Sequence, residues 1–387
     1  MRLAFLADGR SPIAINWLRY FCEQGDEVHL ASFYPCEPTI PLASFKLIRL
    51  PHLGATDLSP SNANQTLRKI LPVSLRTLLR QHIVPYGIRS AALELKLWLD
   101  QIQPQLFHAL RIPYEGMVGA IAQPRTPFIL SIWGNDLTLH ANATPKMRAQ
   151  TQKALERADI LLADCQRDIR LASVWGFPIN RPSHVFPGAG GVRRDLFYPL
   201  SNSSNRESQP LIINPRGMRA YVRNDIFFKA IALVQRQVPE LRVVCPGMKG
   251  EMQAQRWVST LHLENVVQLY PQLNPKEIAS LFQKAHISVS LTEHDGTPNT
   301  LLETMACGCF PIAGDLESIR EWIIPGINGF ITPANDPGIT ADFILFAIKN
   351  QELREKAAQY NQQVIESRAD YNQVMEKVRK VYLEASG

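Results

Sequence analysis

The chain reads as an α/β protein built from two doubly wound, parallel-sheet units joined by one hinge. Three observations predict this. Short apolar runs alternate with helical stretches almost from end to end, the pattern of repeated βαβ units. Several of the runs are continuously apolar, as parallel strands covered on both faces are. One polar, aperiodic stretch, LSNSSNRESQP from Leu200 to Pro210, breaks the alternation, which then restarts. At 387 residues the chain is long enough for two domains.

The elements follow in order. Candidate strands of the first half are Leu3 to Ala7, Val28 to Ser32, Lys46 to Leu50, Leu106 to Ala109, Phe128 to Ile132, Ile160 to Ala163 and His184 to Phe186. Those of the second half are Leu211 to Asn214, Leu241 to Cys245, Val266 to Leu269, His286 to Leu291 and Phe310 to Ala313. Past Pro337 helical patterns run almost to the end. Between Gln65 and Trp98 lie two helical stretches split near Pro85, carrying Arg68, Lys69, Arg76, Arg80 and Arg89. Such a basic amphipathic segment either rests on anionic lipid or packs on its own domain with a solvated basic face.

Composition narrows the function classes. Apolar residues make up 45% and charged residues 20%, ordinary for a soluble globular chain. The net charge of +6 is mild and unclustered, so no nucleic-acid partner is expected. The six cysteines are scattered, and Cys307 with Cys309 has no second pair at zinc spacing. Reduced thiols, and hence a cytoplasmic protein, are the expectation. The opening MRLAFLADGR is too short and too polar afterwards for a secretory signal, and no run of about 18 apolar residues could span a bilayer.

The most informative stretch is LTEHDGTPNTLLETMACGCFPIAG, from Leu291 to Gly314. It reads as the end of a strand, an acidic loop, a helix and a second strand. Thr297 suits the N-cap, Pro298 the first helical position and Gly308 the stop. A helix N-terminus carries free N–H groups and partial positive charge, so it attracts phosphate. Glu303 lies about 9 Å along the axis from that start, at about 1.5 Å per residue. A diphosphate on the N–H groups would leave its ribose near Glu303 and its other end near Asp295. That arrangement fits a nucleotide-sugar.

This stretch resembles the donor motif of retaining, nucleotide-sugar-dependent glycosyltransferases with the GT-B fold, in particular family 4. Their motif is Glu, seven residues, Glu, then a helix ending Met-Ala-Cys-Gly. Glu303-Thr304-Met305-Ala306-Cys307-Gly308 matches it, and the first acidic position falls on Asp295, a shortened carboxylate. The resemblance implies two Rossmann-like domains facing a central cleft. Residues 1–200 would bind the acceptor, residues 201–365 the donor, and a C-terminal helix within 366–387 would rejoin the first domain. It implies hexosyl transfer from a nucleoside diphosphate sugar to a hydroxyl of a glycan, lipid or small molecule, with no cofactor and no metal. The basic segment between Gln65 and Trp98 leaves peripheral contact with the inner membrane face as an option.

The resemblance also assigns residues. Arg216 matches the family's arginine at the strand end. Arg223, or else Arg219, takes the place of its lysine; both cations would reach the diphosphate, where leaving-group charge builds in the transition state. Gly296, Thr297, Pro298, Asn299 and Thr300 form the helix start. Gly247, in Pro246 to Gly250, resembles a glycine-rich turn near the nucleotide, although any turn uses glycine in this way. On the acceptor side Gly9 follows the first strand. His108 matches the first position of a His-x-His pair whose second place is Leu110, so it is either a catalytic group or a satisfied core histidine. Arg111 or Glu115 could serve instead. Asp136, in Trp133-Gly134-Asn135-Asp136, is either an acceptor ligand or a helix cap. The alternatives are a catalytically silent GT-B scaffold binding sugar or a partner protein, and another GT-B enzyme such as a nucleotide-sugar epimerase. A dinucleotide-binding domain is disfavoured, because no G-x-G-x-x-G follows the first strand.

Overall fold

A computed structural model describes residues 1–50, 81–200 and 209–387. Most of the predicted hinge and the cations Arg68, Lys69, Arg76 and Arg80 lie outside the described residues. The chain divides into two compact units, Met1–Gly191 with Asn372–Gly387, and Val192–Tyr371. The division falls earlier than residue 200 and later than residue 365, for a local reason. Val192 N–H donates to the Ala369 carbonyl (2.7 Å) and Tyr371 N–H to the Val192 carbonyl (3.1 Å), so the two segments pair inside the second unit.

The first unit holds a seven-stranded, all-parallel sheet of β1 (Arg2–Leu6), β2 (Glu27–Ser32), β3 (Ser44–Leu47), β4 (Leu106–Ala109), β5 (Phe128–Ile132), β6 (Ile160–Ala163) and β7 (Ser183–Val185). The spatial order is β3-β2-β1-β4-β5-β6-β7. The order reverses between β1 and β4, and the C-terminal edge at such a reversal is where open α/β sheets bind ligands. The strand expected at Lys46 to Leu50 begins at Ser44, where His29 of β2 sets the register.

The last helix, Tyr371–Ser386, belongs to this first unit beyond its first residue. Its Tyr382 is fully buried, its ring stacked on Phe21 at 4.7 Å and its hydroxyl accepting from Trp17 Nε1 at 3.0 Å. Burying a side chain of this size contributes about 2–3 kcal/mol. Arg379 pairs with Asp26, which also holds the N-terminal amine of Met1 at 2.6 Å.

The second unit repeats the plan with six parallel strands: β8 (Leu211–Ile213), β9 (Arg242–Cys245), β10 (Val267–Leu269), β11 (Ile287–Ser290), β12 (Phe310–Gly314) and β13 (Phe330–Thr332). Their order is β10-β9-β8-β11-β12-β13, so the reversal falls between β8 and β11. The edge strand β13 was not expected. Three residues paired on one side only give no periodic signal, and Phe330 is held by stacking on Phe343 at 4.7 Å.

Candidate functional site

The two loops that flank the β8/β11 reversal carry the acidic and basic groups singled out in the sequence. Asn214 follows β8 and holds the loop. Its Oδ1 accepts from the Arg216 N–H at 3.3 Å, and its Nδ2 donates to Asn224 Oδ1 at 2.9 Å. Arg216 is 8% exposed and turns its guanidinium toward the loop after β11. There Nη2 pairs with Asp295 and Nη1 donates to Thr300 Oγ1 at 3.1 Å, while Nε is buried with no acceptor. Asp295 is itself 6% exposed, and Ser318 Oγ donates to its main-chain carbonyl at 2.8 Å. A buried, directly paired arginine and aspartate have exchanged hydration for each other, so each depends on the other.

The helix after this loop runs Asn299–Ala306, one residue later than expected, with Pro298 at the N-cap position. Thr297 is therefore not the cap. Pro298 is itself extended (ψ 125°), so the helix starts after it, and the Thr297 hydroxyl accepts from Trp322 Nε1 at 2.9 Å. No side chain caps the helix, which leaves its first N–H groups to a ligand or water. Gly308 ends it in the left-handed conformation (φ +73°), as read from the sequence. Glu303 projects from the second turn of this helix, with no hydrogen bond to another side chain among the described residues. Burial pushes its carboxyl up to about 7, against the pull of Arg216.

The neighbouring turns explain two glycines. Gly217 (φ +61°) and Gly247 (φ +73°) lie in the loops after β8 and β9 and abut: a Cβ on Gly247 would stand 3.7 Å from the Gly217 Cα and 3.1 Å from Gln272 Oε1. Gly296 is buried beside Asp295. Glu293, the other acid of the loop, is exposed and bonds Arg223 at 2.9 Å. Arg223 also grips Asp225 through Nε and Nη2, both at 2.9 Å. These two carboxylates hold its guanidinium well above its ordinary range. The geometry thus assigns Arg223 to a carboxylate clamp at the start of the Asn224–Gln235 helix rather than to the Arg216 cluster. Arg219 is exposed and bonds the Arg216 carbonyl (3.0 Å) and the Tyr221 hydroxyl (3.1 Å).

In the first unit, two expected site residues prove to be internal supports. His108 is fully buried in β4, with Nδ1 on the Tyr382 hydroxyl and Nε2 on Ser131 Oγ at 2.8 Å. Burial lowers it to about 3, so it is a neutral core histidine without a free ring nitrogen. Asp136 is also fully buried. Its oxygens accept from Arg111 Nη2 (2.6 Å), the Ile112 N–H (3.0 Å) and the Trp133 N–H (3.2 Å). It ties the loops after β4 and β5 together and is neither an open ligand nor a helix cap. Arg111 stands at the edge of this knot, its side chain 34% exposed. Gly9 follows β1 where a Cβ would meet Cys36 Sγ at 2.5 Å, and its N–H donates to Ser32 Oγ at 3.2 Å.

One set of possible metal ligands lies close together among the described residues: Asp164, Cys165 and Asp168, after β6. Arg167 already stands on Asp168 at 2.8 Å and burial holds the Cys165 thiol far above its usual value, so the set reads as a charge-matched core group. Sequence reasoning missed Asn214, Ser318 and Trp322, which brace the Arg216 cluster. Asn214 alone had a signal, a polar residue closing an apolar strand.

Two parallel-sheet units with a charged cluster at the switch point of one define a class, and comparison with known proteins names it. Residues 2–165 match the family model described as Glycosyl transferase 4-like, and residues 200–364 the one described as Glycosyl transferases group 1. These matches and the fold place the chain in the GT-B glycosyltransferase superfamily. A D-inositol 3-phosphate glycosyltransferase of Thermobispora bispora is 24% identical over 208 residues, 48% of this chain and 47% of that protein. An uncharacterized glycosyltransferase of Methanocaldococcus jannaschii is 32% identical over 110 residues, 28% of this chain and 31% of that one. The chain thus spans less than half the length of these two relatives. A sucrose-phosphate synthase of Thermosynechococcus elongatus superposes with a TM-score of 0.78 at 13% identity, over 99% of this chain and 98% of that one. Anabaena HepE, solved with UDP-glucose, superposes with a TM-score of 0.74 at 15% identity, over 99% of this chain and 100% of that one. At these identities the likeness shows the fold.

Proposed function

We propose that the chain is a retaining glycosyltransferase moving a hexose-type sugar from a nucleoside diphosphate sugar to a hydroxyl acceptor. The observation that carries this reading is the convergence of Arg216, Asp295, Thr300 and Glu303 at the β8/β11 switch point. The diphosphate takes the uncapped N–H groups of the 299–306 helix together with Arg216, whose buried Nε still lacks an acceptor. As the glycosidic bond breaks, Arg216 faces the growing charge of the leaving phosphate. Glu303 accepts from the ribose hydroxyls.

Asp295 takes a role different from the family's longer acid. It holds the Arg216 guanidinium in place and lends the sugar only what that pairing leaves. The acceptor hydroxyl attacks from the side of the departing phosphate, which takes its proton, so no protein base is required. No metal is required in this scheme, since the helix start and Arg216 supply the positive field. The UDP-glucose seen with HepE makes a UDP-sugar the first donor to try. No described helix is long and apolar enough to cross a membrane, and the basic face near Arg89 remains a proposed lipid contact.

The test is a thermal-shift panel of UDP-, GDP- and ADP-sugars followed by nucleotide-release assays. A ligand at about 100 times its Kd stabilises the fold by about 2.7 kcal/mol. A selective shift and acceptor-stimulated release are the expected results. A shift without any release would point to a silent scaffold, and no shift with any donor would reject the reading.

A further inference from the structure

Glu115 lies on the turn Ile112–Gly116 that follows β4, and it is 4% exposed. Its own backbone N–H bonds the carboxyl, and no other residue's side chain among the described residues does, so the group keeps hydrogen-bonding capacity unused at a buried site. The charged groups facing it are Arg111 on the same segment, Asp8 after β1 and Asp136 after β5. Arg111 is bound to Asp136 at 2.6 Å and Asp8 to Arg10 at 3.1 Å, so the nearby opposite charges are matched elsewhere.

The place is as telling as the pairing. β1 and β4 are the strands at which the order of the first sheet reverses, as β8 and β11 are in the second. The loops after β8 and β11 carry Arg216 and Asp295; the equivalent loops in the first unit carry Asp8 and Glu115. The other polar candidates there are engaged: His108 and Asp136 are saturated, and Leu110 is apolar and 1% exposed. Three carboxyl groups around one spot, with both arginines engaged, disfavour an anionic group and suit a neutral hydroxyl.

We propose that Glu115 is an acceptor-binding residue whose carboxyl group hydrogen-bonds a neutral hydroxyl of the acceptor at the end of β4. The proposal rests on the transferase reading above. Burial pushes Glu115 up to about 8, so near neutral pH it is the protonated acid, which both donates and accepts a hydrogen bond. Ionisation above about pH 8 removes the donor.

The experiment uses the full chain, the sugar nucleotide giving the largest thermal shift, and a panel of methyl glycosides and polyols as acceptors. Glu115→Ala is expected to raise the acceptor KM at least tenfold while leaving the donor-induced thermal shift as it is. Glu115→Gln, a neutral mimic, is expected to stay within about threefold of the parent at pH 7 and to lose the parent's decline above pH 8. An unchanged acceptor KM in Glu115→Ala, equal losses in both variants, or a lost donor shift overturns the proposal. If the unaltered chain shows neither thermal shift nor nucleotide release, the transferase reading falls and takes this one with it.

Discussion

Arg216→Ala separates structure from chemistry at the centre of the site. Arg216 and Asp295 are 8% and 6% exposed and paired directly, so removing the arginine leaves a buried, uncompensated aspartate. Breaking such a pair from one side costs about 3–5 kcal/mol of stability. Adding Asp295→Asn removes the orphaned charge and returns a part of that loss, with a coupling energy of about 0.5–3 kcal/mol expected for contacting residues. Catalysis should behave otherwise. If Arg216 stabilises the leaving phosphate, kcat falls by about 10² to 10³, or about 2.7–4 kcal/mol, in the single and the double variant alike. Urea unfolding gives the stabilities, and nucleotide release per folded molecule gives the rates. Recovery of activity together with stability in the double variant would refute the reasoning, because Arg216 would then be only the counter-charge of Asp295. A loss under about tenfold in the single variant would do the same.

Three further outcomes follow from particular contacts. Glu303 is raised to about 7, so it weakens the fold progressively as pH rises from its unfolded value near 4.3 through 7. Glu303→Gln should therefore match or exceed the parent's stability at pH 8 yet bind donor more weakly, and parent donor affinity should drop as pH falls below about 7; pH-resolved melts and titrations check both. His108→Ala leaves the Ser131 and Tyr382 hydroxyls without their ring partner and opens a cavity, so urea unfolding should show a loss of about 3 kcal/mol or more. Its kcat/KM per folded molecule should stay within about threefold, since the ring touches no ligand; a loss of rate without a loss of stability would restore a catalytic role. In Gly314→Ala the new Cβ would meet the Thr292 carbonyl at 2.6 Å and its nitrogen at 2.9 Å, so the backbone leading to Asp295 must move. A destabilisation of about 1–3 kcal/mol, with weakened donor binding by calorimetry, is the expected result.

How far the site could be read in advance varied with the kind of signal. The 299–306 helix, its Gly308 stop and the strands around it are local, and composition and periodicity carry them. The pairing partners of Arg223 and Asp136 are not. Both residues sit at strand or helix ends, where ligands bind and where structural clamps also form, and only the direction of the side chain separates the two uses. Arg223 meets Glu293, 70 residues away. Asp136 meets the loop after β4, 24 and 25 residues earlier. Glu115 shows the reverse case: a residue outside any motif gains weight because burial leaves its carboxyl without a side-chain partner among the described residues.

From the order of residues alone came the two α/β units and the helix behind Asp295, because each depends on spacing within a few turns of chain. Tertiary structure alone decided which charges are spent and which stay open. That choice turns on burial and on contacts between distant loops, as when His108 is silenced by Tyr382, 274 residues along the chain. A side chain's chemistry is set by its neighbours in space, and a linear pattern does not record them.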